Sequence, residues 1–202
     1  MTTATKELMH PSSLPLRCCL LSGGSSRRMG QDKALLPHPG GGTWLEHSLR
    51  RLAQLEAPIT LLSRWPQHLE QAQALALPQL EAMAEPPPWE GPLLALHRLM
   101  ERHPGERLLL CPVDMPGLNR AALESLLAAS AEAPSSILLA QGGGRCQPLL
   151  GIYPAENQRR QSLAAAIEAG ERRLQTWLAH QPCLQVPLPE AVIRNVNSPS
   201  EL

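Results

Sequence analysis

Short apolar runs alternate with amphipathic stretches along most of this chain, and that alternation restricts the fold more than any other feature. Leu16–Leu21 (LRCCLL) is apolar, short and followed by a Gly-rich turn, which predicts a buried strand. Residues 43–56 (TWLEHSLRRLAQLE) predict a helix. Thr43 and Glu46 have capping-box spacing, in which each side chain accepts from the other residue's backbone N–H. Trp44, Leu45, Leu49, Leu52 and Leu55 mark one apolar face, and Pro58 stops any continuation. Strands follow at 59–62 (ITLL), 79–83, 107–111 (RLLLC), 136–140 and 147–153, with short ones near 184–186 and 192–193. Helical patterns lie at 67–76, 93–102, 119–130, 156–169 and 172–180. Asn119 is a good N-cap and Gly170 a C-terminal cap. The Pro-rich segment 85–92 (EPPPWEGP) fits no regular element, and 141–145 (QGGGR) reads as a flexible turn. The order predicts an α/β fold, a three-layer sandwich around a mostly parallel central sheet. Ligands of such sheets sit at the carboxyl ends of the strands, beside a topological switch point. The residues that follow each strand therefore matter most.

Composition narrows the class. At 202 residues the chain suits one globular domain, here 16–202, preceded by an extension, 1–15, that reads as flexible. Phe is absent, so Leu and Ala must fill the core. Lys plus Arg and Asp plus Glu both number 18, which argues against a partner bound through bulk charge and so against nucleic acid. No apolar run approaches the ~20 residues that a membrane helix takes, and 1–15 holds no stretch of signal-peptide type. These features predict a cytoplasmic protein with no membrane partner. The five cysteines, at 18, 19, 111, 146 and 183, match neither a zinc site nor a disulfide framework, and read as buried free thiols.

The first post-strand loop carries the chemistry. Residues 21–36 read LSGGSSRRMGQDKALL. Ser22, Gly23, Gly24, Ser25 and Ser26 are small, so backbone N–H groups can approach an anion closely. Arg27, Arg28 and Lys33 supply positive charge, and Gly30 permits a second bend. Such a loop, directly after a buried strand, suits a triphosphate. The string is neither a Walker A loop nor a G-x-G-x-x-G dinucleotide fingerprint. A plain Gly/Ser surface turn would account for Gly-Gly beside arginines, but not for the whole string.

Residues 111–118 read CPVDMPGL, and Asp114 stands between Pro112 and Pro116, which restrict the backbone around its carboxylate. Two local readings fit. One is a magnesium ligand, since that ion usually takes one or two protein carboxylates plus phosphates and water. The other is a turn aspartate that satisfies nearby N–H groups. Asp32 and Glu85 are secondary metal candidates; Asp32 better suits bracing the loop by pairing with a cation.

The string Gly23, Gly24, Ser26, Arg28, Met29, Gly30, Asp32, Lys33, Leu35, Leu36 resembles the signature of nucleotidyltransferases that act on the molybdenum cofactor. Cys111-Pro112-x-Asp114-x-Pro116 resembles that family's metal-binding motif. Residues 90–93 (EGPL) resemble its entry to the helix beside the base pocket, and Pro92 starts a helix well. Residues 195–199 (NVNSP) resemble the guanylyltransferase branch, where cytidylyltransferases carry aspartates more often. Residues 170–174 (GERRL) and the Gln147-Pro148 step complete the likeness, which runs from about Leu20 to Leu202. The family's second-strand asparagine has no counterpart here, where the chain reads ITLLSRW.

The resemblance implies a Rossmann-like nucleotidyltransferase fold and transfer of GMP from GTP to the terminal phosphate of molybdopterin, or of the molybdenum cofactor, with release of pyrophosphate. It implies that Leu21, Ser22, Gly23, Gly24, Ser26, Lys33, Gly91, Pro92 and Asp114 bind the nucleotide. Arg28, Lys33 and Asp114 would act in catalysis, with Asp114 holding Mg²⁺, or Mn²⁺ in its place. Arg172, Arg173, Asn195 and Asn197 would bind molybdopterin, although the arginines fit a solvated helix face equally well and NVNSP fits a capped turn. Proteins that supply or accept the cofactor are implied partners. Two alternatives stay open: a cytidylyltransferase on the same fold, and a non-catalytic nucleotide-binding assembly protein.

Overall fold

The computed structural model describes residues 14–24 and 32–196. Seven strands form one sheet: β1 (Leu16–Leu21), β2 (Ile59–Ser63), β3 (Leu80–Ala84), β4 (Arg107–Pro112), β5 (Ile137–Gly142), β6 (Arg145–Pro154) and β7 (Cys183–Pro187). Their order across the sheet is β3-β2-β1-β4-β6-β5-β7. β1, β2, β3 and β4 run parallel, β5 and β7 pair parallel, and β6 is antiparallel to both β4 and β5. The chain winds outward from β1 to β3, then returns past β1 to β4. The switch point therefore lies between β1 and β4, where a crevice must open at the carboxyl ends. The expected mostly parallel α/β sandwich is the fold observed.

The strands bury both faces, as a sheet with helices on each side requires. Cys18 and Leu20 of β1 join one cluster with Leu45, Leu49 and Leu52 of α1 (Trp44–Ala53) and Leu123 and Leu126 of α4 (Arg120–Glu132). Cys19 points the other way, toward Leu93, Leu96 and Leu99 of α3 (Pro92–Arg102), Leu163 of α5 (Asn157–Glu168) and Trp177 of α6 (Leu174–Leu178). The remaining α-helices among the described residues are α2 (Pro66–Ala74) and α7 (Glu190–Ile193). Among the described residues, no helix is long and apolar enough to cross a membrane.

Local signals mostly act as their chemistry dictates. Asn119 Oδ1 accepts from the Ala122 N–H at 3.0 Å, and Gly170 ends the α5 segment at φ 89°. The capping box of α1 is half-formed. Thr43 Oγ1 accepts from the Glu46 N–H, but the Glu46 carboxylate accepts from the Gln71 amide of α2 at 3.0 Å. A tertiary partner has displaced the local one.

Three expectations are corrected. Residues 192–193 are helical, in α7, because a two-residue apolar pair looks the same in either period. The 141–145 turn shrinks to Gly143–Gly144, since Gln141 pairs with Cys146 and Gly142 with Arg145. Both turn glycines have positive φ, which matches the twist of a two-residue hairpin. The 172–180 helix covers only Leu174–Leu178: the Glu171 carboxylate accepts from the Arg172 and Arg173 N–H groups and holds both residues ahead of the first turn.

All five cysteines are free; three of them, Cys18, Cys19 and Cys111, are buried. Burial pushes the Cys18 thiol up to about 12 and raises Cys19 and Cys111 as well. Thiolate is the reactive form. A disulfide reagent at pH 8 is therefore expected to titrate no more than two thiols in the native protein, Cys146 and Cys183, and all five after unfolding. A third fast thiol in the native state would contradict this packing.

Candidate functional site

The strand ends around the switch point enclose a cavity of about 560 Å³. Leu21, Ser22, Gly23 and Gly24 reach it from β1, Arg64 from β2, Glu85 from β3, and Pro112, Val113 and Asp114 from β4. Gly91, Pro92 and Ala95 close it from the start of α3, and Asp32 and Lys33 from the 3₁₀ turn Lys33–Leu35. Gly91 is set by its backbone conformation. A Cβ there would meet nothing within 4 Å, but its φ is 101°, so glycine is required by conformation.

Lys33 and Asp114, far apart in sequence, converge. Lys33 Nζ lies 3.5 Å from Asp114 Oδ2, and it donates to the Val196 carbonyl. The Val196 N–H donates in turn to the Asp114 carbonyl at 3.0 Å, so the C-terminal stretch is anchored to the same corner.

A buried histidine ties the first loop to its surroundings. His68 of α2 sits with Nε2 2.8 Å from Asp32 Oδ2 and Nδ1 3.0 Å from Ser22 Oγ. Asp32, an acceptor, takes the Nε2–H, while Nδ1 also lies 2.9 Å from both the Ser22 carbonyl and the Ser63 hydroxyl, and that hydroxyl donates to the Ser22 carbonyl at 2.8 Å. Asp32 also accepts from the Ala34 N–H at 3.0 Å, capping the turn that carries Lys33. Asp32 thus braces the loop through His68. Nothing in the sequence marks His68, a single histidine in a helix without a motif.

Next to Gly23, Glu85 Oε1 pairs with Arg98 at 2.6 Å, and Oε2 lies 3.0 Å from where a Gly23 Cβ would stand. Burial raises the Glu85 pKa against the pull of Arg98 and Arg64. Beside it, the Arg64 guanidinium lies 4.7 Å from the Trp65 ring centroid and 5.5 Å from that of Trp89. Local sequence offers no pattern for this grouping, because it joins the ends of two strands.

Of the residues singled out from sequence, Leu21, Ser22, Gly23, Gly24, Lys33, Gly91, Pro92 and Asp114 line the cavity together. Ser26, Arg28 and Asn197 lie outside the described residues. Arg172 and Arg173 do not line it. Arg172 is paired with Glu90, next to Gly91, and also donates to the Ile167 carbonyl. Asn195 follows α7, and its buried Oδ1 has no hydrogen-bond partner among the described residues.

The donor set fits a metal that arrives with a nucleotide better than a protein-built cage. Among the described residues, no group of three or more His, Cys, Asp or Glu side chains could hold an ion. Asp32 is engaged by His68, and Glu85 by Arg98. Asp114 meets Lys33 at 3.5 Å, too long for a charge-assisted hydrogen bond, and it lines the cavity. One carboxylate with phosphate oxygens and water is the set that Mg²⁺ accepts.

Comparison with known proteins agrees with this geometry. Residues 18–185 match the family model of the MobA-like NTP transferase domain. A probable molybdenum cofactor guanylyltransferase of Rhodopirellula baltica is 36% identical over 207 residues, covering 100% of this chain and 97% of that protein. The fold matches molybdopterin-guanine dinucleotide biosynthesis protein A from Archaeoglobus fulgidus, with TM-score 0.70 and 18% identity over 92% of this chain and 94% of that one. It also matches Rv0371C of Mycobacterium tuberculosis in complex with manganese, with TM-score 0.66 and 15% identity over 94% and 96%. With its strand-end cavity and a family match across most of its length, the chain belongs to the MobA-like NTP transferases.

Proposed function

We propose that this enzyme transfers GMP from GTP to the terminal phosphate of molybdopterin, with or without molybdenum, and releases pyrophosphate. The observation that carries the reading is the convergence of Lys33 and Asp114 on the cavity at the β1/β4 switch point. The name of the Rhodopirellula relative, over the full length of this chain, supports the choice of substrates.

In this reading Ser22, Gly23 and Gly24 present backbone to the nucleotide, with Ser26 and Arg28 continuing the loop, and Gly91 and Pro92 border the base. Asp114 holds Mg²⁺, or Mn²⁺ in its place, which when bound neutralises charge on the phosphates. The acceptor phosphate attacks the α-phosphorus, forming the new P–O bond as the bond to pyrophosphate breaks. That nucleophile is already anionic, so no general base is required, and the protein contributes position and charge. Lys33 and Arg28 neutralise the phosphates. His68 holds Ser22 and, through Asp32, the turn that carries Lys33, so these two flanks are fixed before the nucleotide arrives.

Arg172, Arg173, Asn195 and Asn197 meet the acceptor. Arg172 must exchange Glu90 for a phosphate to do so, and the unpartnered Asn195 Oδ1 supports a polar ligand nearby. Free thiols suit a reducing compartment, and we place the enzyme in the cytoplasm, beside proteins that supply or accept the cofactor.

Pyrophosphate release tests the assignment. With Mg²⁺, the expected result is release that requires both GTP and molybdopterin. GTP should raise the melting temperature more than CTP at equal concentration, since stabilisation grows with ligand concentration over Kd. Release with CTP but not GTP would move the enzyme to the cytidylyltransferase branch. Nucleotide binding without release would make it a binding protein.

A further inference from the structure

Arg64 stands where a ligand of this sheet must pass, directly after β2 and on the cavity wall. Among the described residues, no hydrogen bond or ion pair engages its guanidinium, and its Nε is buried without a partner. The neighbouring rings of Trp65 and Trp89 hold the group instead. A guanidinium is planar by delocalisation, and contact with aromatic faces leaves its in-plane donors open.

Trp89 is 52% exposed at the cavity rim, although the chain has only four Trp and no Phe. Its indole N–H donates to the Glu85 carbonyl at 2.9 Å, which fixes the ring while leaving area uncovered. The three prolines at 86–88 restrict the backbone that carries it. A flat cationic fork and an open aromatic face therefore line the same cavity as Lys33 and Asp114.

We propose that Arg64 and Trp89 read the base: Trp89 stacks on the purine, and Arg64 donates to guanine N7 and O6. This rests on the GTP reading above and names its specificity determinants. Guanine presents those two acceptors on one edge, a match for a guanidinium fork. Adenine and cytosine each place an amino donor on the corresponding edge, which a cation cannot accept.

The test is equilibrium binding to the full chain with Mg²⁺, using GTP, 7-deaza-GTP and CTP. The wild type is expected to prefer GTP to 7-deaza-GTP by roughly tenfold, because the analogue lacks the N7 acceptor. Arg64→Lys keeps the charge and loses the fork, and Arg64→Leu loses both; in each, that preference should fall to about twofold or less. Trp89→Leu should weaken GTP and 7-deaza-GTP alike, by about tenfold, and abolish the tryptophan quenching that GTP causes in the wild type.

An unchanged GTP to 7-deaza-GTP ratio in Arg64→Lys, or equal weakening of all three nucleotides, overturns the inference and makes Arg64 a phosphate contact or a structural group. Retained quenching in Trp89→Leu overturns the stacking. The analogue series on the wild type needs no variant to fold. Wild-type release of pyrophosphate from GTP, with base selectivity unmoved in both Arg64 variants, defeats this inference alone. A wild type that uses CTP defeats it together with the reading it rests on.

Discussion

Asp114→Asn is expected to lower pyrophosphate release from GTP by about a hundredfold or more while leaving the melting temperature nearly unchanged. The two effects separate because they draw on different interactions. The carboxylate pairs with Lys33 across 3.5 Å at a partly exposed site, and such pairs contribute on the order of 0–1 kcal/mol to stability. In the loaded site the same group would face a polyphosphate with water excluded. Removing one charge contact there costs on the order of 3 kcal/mol of barrier, which is about a hundredfold in rate. Asparagine keeps the shape and still presents an oxygen, so a packing defect cannot account for the loss. The Val196 N–H bonds to the Asp114 backbone carbonyl, which the substitution leaves in place. The measurement is release against Mg²⁺ concentration: the variant should require much more metal at any rate it reaches. An unaltered metal requirement would remove Asp114 from the ion's surroundings.

The sequence carried the architecture well because each strand announces itself locally. LRCCLL and RLLLC are apolar enough to be buried on both faces, and they became β1 and β4, neighbours at the switch point. Where the signal was short, context decided: Val192 and Ile193 were helical because two apolar residues define no period. At the site, Lys33 and Asp114 were legible through fixed local strings. The wall made of Arg64, Glu85 and Trp89 was not, since it joins the ends of two strands and only the parallel pairing of β2 and β3 brings them together. His68 was illegible for a similar reason. Its role depends on Ser22, Asp32 and Ser63, which lie on separate segments. Arg172 was legible as a charge but not by its partner: it pairs with Glu90, which no local string announces.

Lys33→Met should bring a loss of similar size, and its pattern distinguishes a ligand contact from a structural one. The ammonium donates to the Val196 carbonyl and faces Asp114, so its removal disturbs both the C-terminal anchor and the charge balance of the cavity. A purely structural role predicts a lower melting temperature, with residual turnover that follows the folded fraction. A role on the phosphates predicts a folded protein with turnover down about a hundredfold. The split between KM and kcat then locates the contact. Equal loss in kcat and kcat/KM means that Lys33 acts on charge formed only in the transition state, whereas a higher KM alone means ground-state grip on the triphosphate. Because the pyrophosphate leaving group gains charge as its bond breaks, the larger part is expected in kcat. Lys33→Arg should recover only part of the rate: it restores the charge, but its planar fork cannot reproduce a compact ammonium held between Asp114 and the Val196 carbonyl. Full recovery in Lys33→Arg would reduce the residue to a generic cation, and near-normal turnover in Lys33→Met would place the phosphates elsewhere.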